Sequence, residues 1–169
     1  RPLKLILVDN NSSDGTLQVL LDFKEAHQTP DFSITVLQES TPGAGAARNC
    51  GLRAARSEWI MFFDSDDLMT PDYVEQYALA ISRNPDADLF VTRLQLSDKN
   101  GIRQLAFIPH DIFANHIIHS MLSTQRYVAR RQHFIDAGAW NPDTPAWDDW
   151  ELGIRMLLSE PRIHYIVDK

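Results

Sequence analysis

The sequence holds a single cysteine, Cys50, in 169 residues. That excludes an internal disulfide framework and any zinc site built from several cysteines. Basic residues are in the minority, with 16 Lys+Arg against 23 Asp+Glu and a net charge of −7. Such a balance gives no broad electrostatic grip on nucleic acid or anionic lipid, and no nucleic-acid partner is expected. No apolar run approaches the roughly 20 residues needed to cross a bilayer. No signal-peptide pattern opens the chain either: Arg1-Pro2 leads straight into a strand-like stretch, and a start without Met suggests a fragment or a processed product. There is no internal repeat, low-complexity tract or linker. What is present is a hydrophobic content of 44%, which suits a globular core, and a length that suits one α/β domain.

Residues 3–8 (LKLILV) form a nearly continuous apolar run that ends in Asp9-Asn10-Asn11-Ser12-Ser13-Asp14-Gly15. That pattern predicts a strand buried on both faces, as in a parallel sheet. Ser12 or Ser13 is the expected cap of a helix reaching about His27, with Val19, Leu20 and Phe23 on its apolar face. Residues 34–37 read as a second strand, and 44–56 as a small-residue helix after the break at Thr41-Pro42-Gly43. Residues 59–63 read as a third buried strand ending in Asp64-Ser65-Asp66-Asp67. Thr70-Pro71 predicts the next helix start, with Thr as cap and Pro in the first turn. The order to this point is β-α-β-α-β-α, the rhythm of a parallel sheet with helical crossovers. Beyond it, 89–96 and 102–107 flank an Asn100-Gly101 turn and predict a hairpin. Short helices at 112–121 and 131–137, strands at 126–130 and 163–167, and a helix at 147–158 complete the reading.

Three clusters could carry chemistry. The first lies at strand ends, where ligands bind in open α/β sheets: Asp9 follows one apolar strand and Asp64 another. Asp64, Asp66 and Asp67 put three carboxylates in four residues. Like charges that close disfavour one another unless a cation sits among them, and carboxylate oxygens suit Mg²⁺ or Mn²⁺. The plain structural alternative is an acidic start to the following helix. The second cluster, Gly43-Ala44-Gly45-Ala46-Ala47-Arg48, is a small-residue helix entry suited either to an anion or to tight helix–sheet packing. The third is Trp147-Asp148-Asp149-Trp150-Glu151. Its bland reading is an acidic first turn with a Glu151–Arg155 pair. Its functional reading is a general-base carboxylate in a partly apolar wall, with an indole face as a platform for a sugar ring. His116 and His119 read as surface or interface histidines, and Cys50 as a small core residue.

VDNNSSDGT (8–16), GAGAARNCG (43–51), WIMFFDSDD (59–67) and WDDWEL (147–152) occur in an order that resembles family 2 glycosyltransferases. The segment from Arg130-Arg131 to Gly138-Ala139-Trp140 resembles the stretch that precedes that family's acid pair. The resemblance covers nearly the whole chain and implies an α/β fold of the GT-A, Rossmann-like type, a mixed sheet flanked by helices. It implies a nucleotide-sugar donor, a glycan or lipid-linked acceptor, Mn²⁺ or Mg²⁺ as cofactor, and transfer with inversion. It also implies a role in cell-surface polysaccharide synthesis on the cytoplasmic side, with peripheral membrane association left open. Residue by residue, Asp64-Ser65-Asp66 resembles the Asp-x-Asp motif, with Asp66 as metal ligand and Asp64 beside the ribose and the metal. Asp9 and Asn10 match the acids that contact the base, although Asn10 stands where the family has a second Asp. Arg48 and Trp147 fall in the nucleotide-sugar pocket. Asp148-Asp149 resembles the family's Glu-Asp pair, with Asp149 as general base. The family's first strand and helix have no counterpart here. In that fold the strand lies between those formed by 3–8 and 59–63, so the chain is expected to be a single catalytic domain truncated at its N-terminus, unless a strand from another chain fills the gap or the domain closes up with altered pairing.

Two readings from other classes compete. A phospho-receiver signalling domain also has an acid pair after its first strand and uses Mg²⁺. A non-catalytic glycan- or nucleotide-binding module would share the fold without turnover.

Overall fold

The computed structural model describes residues 3–144 and 146–166, which form two compact units: Arg1–Ser57 with Trp140–Ala146, and Glu58–Ala139 with Trp147–Lys169.

The first unit is a βαβ motif followed by a second helix. Strands β1 (Leu3–Asp9) and β2 (Phe32–Gln38) pair in parallel, in register from Leu3 opposite Phe32 to Asp9 opposite Gln38. Parallel strands need a crossover, supplied by helix α1 (Thr16–His27). Neither Ser12 nor Ser13 starts that helix. Gly15 stands at the cap, and Asp14 just before it accepts the Thr16 N–H at 3.0 Å through its carboxylate. The helix face also differs from the expected one. Thr16, Leu17, Leu20 and Lys24 are half-buried, whereas Val19 and Phe23 are 64% and 39% exposed. At 100° per residue Leu17, Leu20 and Lys24 share a side that Val19 and Phe23 do not. Helix α2 (Ala44–Ala54) packs on β1.

The second unit contains a mixed four-stranded sheet. Strand β3 (Trp59–Met61) is followed by helix α3 (Tyr73–Arg83), strand β4 (Leu89–Val91) and the exposed hairpin β5 (Gln95–Asp98) and β6 (Gly101–Gln104). Helix α4 (Ile112–His119), a 3₁₀ turn (Thr124–Arg126), strand β7 (Tyr127–Arg130), helix α5 (Arg131–Asp136), helix α6 (Asp148–Leu157) and strand β8 (Ile163–Tyr165) follow. The sheet order is β3-β7-β4-β8, with β7 antiparallel to β3 and β4, and β8 parallel to β4. Leu89, Phe90 and Val91 on central β4 are fully buried, because strands flank it on both sides.

Several expectations shift here. Within the second unit, the hydrogen-bonded neighbour of strand β3 is the antiparallel β7, not a parallel strand. A continuous apolar run reports burial on both faces and carries no information about direction. The run 89–96 divides into buried β4 and exposed β5. Helix α3 starts two residues late, because Thr70 uses its carbonyl to close a turn onto the Tyr73 N–H at 3.1 Å. Residue 167 of the last predicted strand lies outside the described residues.

Candidate active site

The end of β1 is tied into its own unit. Asp9 is 3% exposed, and one of its carboxylate oxygens, Oδ1, is buried with no hydrogen-bond partner among the described residues. Asn10 spends its whole amide on backbone. Its nitrogen donates to the carbonyls of Glu39 (3.1 Å) and Thr41 (2.7 Å), and its oxygen accepts the Gly43 N–H at 2.8 Å. A carboxylate, which only accepts, could not make this set of bonds. Gly43 has φ of +121°, a conformation other residues rarely adopt, and leads directly into α2. One turn into α2, the Arg48 guanidinium lies 5.7 Å from the centre of the Trp140 ring. Asn49 holds that tryptophan by its backbone, donating to the Trp140 carbonyl at 2.8 Å and accepting its N–H at 3.0 Å.

In the second unit, the loop after β3 carries Asp64, Asp66 and Asp67. Asp64 Oδ2 accepts a hydrogen bond from the Gln125 side-chain amide at 2.7 Å. Asp66 and Asp67 are exposed. The Asp67 carboxyl titrates above the usual range, first through burial and then through the negative charges of Asp66 and Asp64. No three His, Cys, Asp or Glu side chains converge on one point among the described residues. Crowded carboxylates with room for further oxygen ligands fit Mg²⁺ or Mn²⁺, which bind through one or two carboxylates and take the rest from phosphate and water.

The two acids at the start of α6 face different partners. Asp148 Oδ1 accepts the Asp149 N–H at 3.0 Å, the work of a helix-start acid. Asp149 Oδ2 accepts the backbone N–H of Thr124 at 3.1 Å and also its hydroxyl. Two donors on one oxygen fix the orientation of that carboxylate. Thr124 and Gln125 are neighbours in the 3₁₀ turn, so consecutive residues hold Asp149 and Asp64. Neither residue stands out in the sequence, because their partners are 25 and 61 positions away.

Trp147 precedes α6 with φ of +62° and is 72% exposed, its ring edge-on to Trp150 at 5.5 Å. A bulky residue in the left-handed region is strained, and such strain gathers at functional sites. The Glu151–Arg155 pair forms as the spacing predicts, at 2.6 Å, and Arg155 also donates to the Ala139 carbonyl at 2.7 Å. His116 is no surface residue: it is completely buried against α6. His119 and Cys50 take no part in these clusters.

The mixed sheet, its flanking helices and the acids at strand ends define a glycosyltransferase fold of the GT-A type. Two solved structures share it. The Staphylococcus aureus TarS crystal structure matches with a TM-score of 0.71 at 18% identity, over 100% of this chain and 36% of that one. The Pyrobaculum calidifontis mannosyltransferase PcManGT, in complex with GDP-Man and Mn²⁺, matches with a TM-score of 0.69 at 20% identity, over 98% of this chain and 46% of that one. The family model described as Glycosyl transferase family 2 matches residues 1–141, and the chain belongs to that family. That membership sets the signalling-domain reading aside. Among relatives, the putative glycosyltransferase EpsH of Bacillus subtilis (strain 168) is 39% identical over 74 residues, 44% of this chain and 20% of EpsH. The poly(ribitol-phosphate) beta-N-acetylglucosaminyltransferase TarS of S. aureus (strain Mu50) is 25% identical over 171 residues, 98% of this chain and 29% of TarS. The chain thus spans less than a third of these relatives' length.

Proposed function

We propose that the chain serves as a catalytic domain that transfers a sugar from a nucleoside-diphosphate donor to an acceptor hydroxyl, with inversion. The observation that carries this reading is the 3₁₀ turn whose adjacent residues hold Asp64 and Asp149. An acid for the donor's diphosphate and an acid for the acceptor's proton need fixed separation, and one turn of backbone supplies it. The mannosyltransferase bound to GDP-Man and Mn²⁺ adds support for a nucleotide-sugar donor.

In this mechanism Asp149 takes the proton from the acceptor hydroxyl as its oxygen attacks the anomeric carbon from the face opposite the leaving group. The sugar–phosphate bond breaks, and the electron pair leaves with the nucleoside diphosphate. Asp66, with Asp64, would hold Mn²⁺ or Mg²⁺, whose Lewis acidity stabilises the charge developing on that leaving group. Trp147 offers its exposed ring to the sugar. Asp9 and Arg48 serve the nucleotide. Asn10, with its amide committed to backbone, shapes that site through the loop before α2.

Thermal-shift and calorimetric screening of UDP- and GDP-linked sugars, with and without Mn²⁺, tests the proposal. Metal-dependent stabilisation by one donor, followed by release of its nucleoside diphosphate on adding an acceptor, is the expected result. Donor binding with no turnover against any hydroxyl acceptor would favour the non-catalytic binding module.

A further inference from the structure

We propose that His116 is a positioning residue for transfer: its neutral imidazole ties the segment that holds Asp149 to the first turns of α6. This inference rests on the assignment of Asp149 as general base. His116 Nδ1 accepts the Leu122 N–H at 3.1 Å, and Nε2 lies 2.9 Å from the Trp150 carbonyl. An acceptor at Nδ1 leaves the proton on Nε2, so both ring nitrogens are satisfied by one tautomer of the neutral ring. Leu122 is two residues before Thr124, which donates twice to Asp149, and Trp150 is the residue after Asp149. The ring therefore bridges both sides of the base, the acid's own helix and the segment that grips it.

The helix accommodates this ring at one place. A Cβ on Gly153 would come 2.3 Å from His116 Nε2 and 2.5 Å from its Cε1, distances that no packed structure tolerates. Glycine inside a helix is otherwise unfavourable relative to alanine. Its presence one turn beyond Asp149 lets the imidazole approach the α6 backbone closely. Burial holds the ring below the ordinary histidine range against the opposing effect of the Trp150 carbonyl, and the positive charge of Arg126 adds to burial. Its other polar contacts, the Trp150 carbonyl and the Leu122 N–H, do not titrate, and on its own helix the ionisable groups are Asp111, just before α4, and His119 at its end.

The test compares His116→Phe, His116→Asn and Asp149→Asn in the protein, with the donor selected by the screen above. Phenylalanine fills the volume without either polar atom. Asparagine can put its amide oxygen near the Nδ1 position and keep the Leu122 N–H satisfied. The expected result is a fall in kcat of about 10²-fold for His116→Phe, the scale of an ångström-sized misplacement, with donor KM unchanged. His116→Asn should recover kcat to within about tenfold of the parent, the difference expected if one of the two bonds sets the loop. Nitrogen NMR of the His116 ring, which needs no variant, should show the proton on Nε2. A proton on Nδ1, or equal losses in Phe and Asn variants that both fold, would overturn the clamp. Full activity in a folded His116→Phe beside an inactive Asp149→Asn would sink the clamp alone. Parent-like turnover by Asp149→Asn would instead sink the base assignment, and the clamp's catalytic purpose with it.

Discussion

Two strands of this chain end in acid, and the two ends are built to opposite plans. After β1, Asp9 is buried and the next residue, Asn10, is pinned by three backbone hydrogen bonds. After β3, Asp64 is held by a side chain from a distant turn, while Asp66 and Asp67 stay exposed and repel one another. The first end is a structural joint, its polar groups turned inward to the backbone. The second keeps its carboxylates available at a cost in mutual repulsion, as a group meant to meet a cation would. A shared sequence pattern, apolar strand then acids, thus covers two different physical devices.

The comparison can be broken in order of expected effect. Asp149→Asn should leave donor binding intact and reduce transfer by roughly 10²–10⁴-fold, the usual scale of base catalysis. Asp148→Asn should cost less, since Asp148 faces its own helix N–H. Steady-state kinetics on the pair checks this, and an inactive Asp148→Asn beside an active Asp149→Asn would reverse the assignment. Asp66→Asn should reduce Mn²⁺-dependent affinity for a nucleoside diphosphate by at least about tenfold, since losing even a residue that only supports a metal ligand costs about that much. Its melting temperature should not fall, because an exposed acid among like charges stabilises nothing. Asn10→Asp should do the reverse: a carboxylate cannot donate to Glu39 and Thr41, and two bonds become repulsive contacts. A loss of about 2 kcal/mol in denaturant unfolding is expected from the usual value of such bonds. An unchanged midpoint would show that the joint is ornamental.

The smallest effect concerns pH. His116 and His133 both titrate below the ordinary histidine range, chiefly through burial. The unfolded chain therefore takes up protons first as pH falls. The stability these residues contribute is present above about pH 6.5 and is lost progressively below it, down to their depressed values in the folded state. Melting temperatures measured across that window in wild type and His116→Asn should converge on the acid side.

Much of this was legible in the residues. The four motifs marked the strand ends and helix starts, and Glu151–Arg155 followed from helical spacing. Asn10 was visible as a departure from the family pattern, but its purpose was not, because its partners are main-chain atoms about thirty residues away. The antiparallel partner of β3, β7, was not legible, because hydrophobicity reports burial alone and the pairing joins residues about seventy positions apart. Thr124, Gln125 and His116 were missed or misjudged for one reason. Each matters through tertiary contacts, and a neutral histidine or a threonine carries no local pattern that announces such contacts.

The turn holding Asp64 and Asp149 has a dynamic consequence. Two groups fixed to adjacent residues move together when that backbone moves. Their absolute positions can fluctuate with the breathing of the fold while the distance between them is preserved. Substitutions at Thr124 and Gln125 should therefore combine non-additively: the first frees one acid from the shared frame, and the second has less common motion left to disturb.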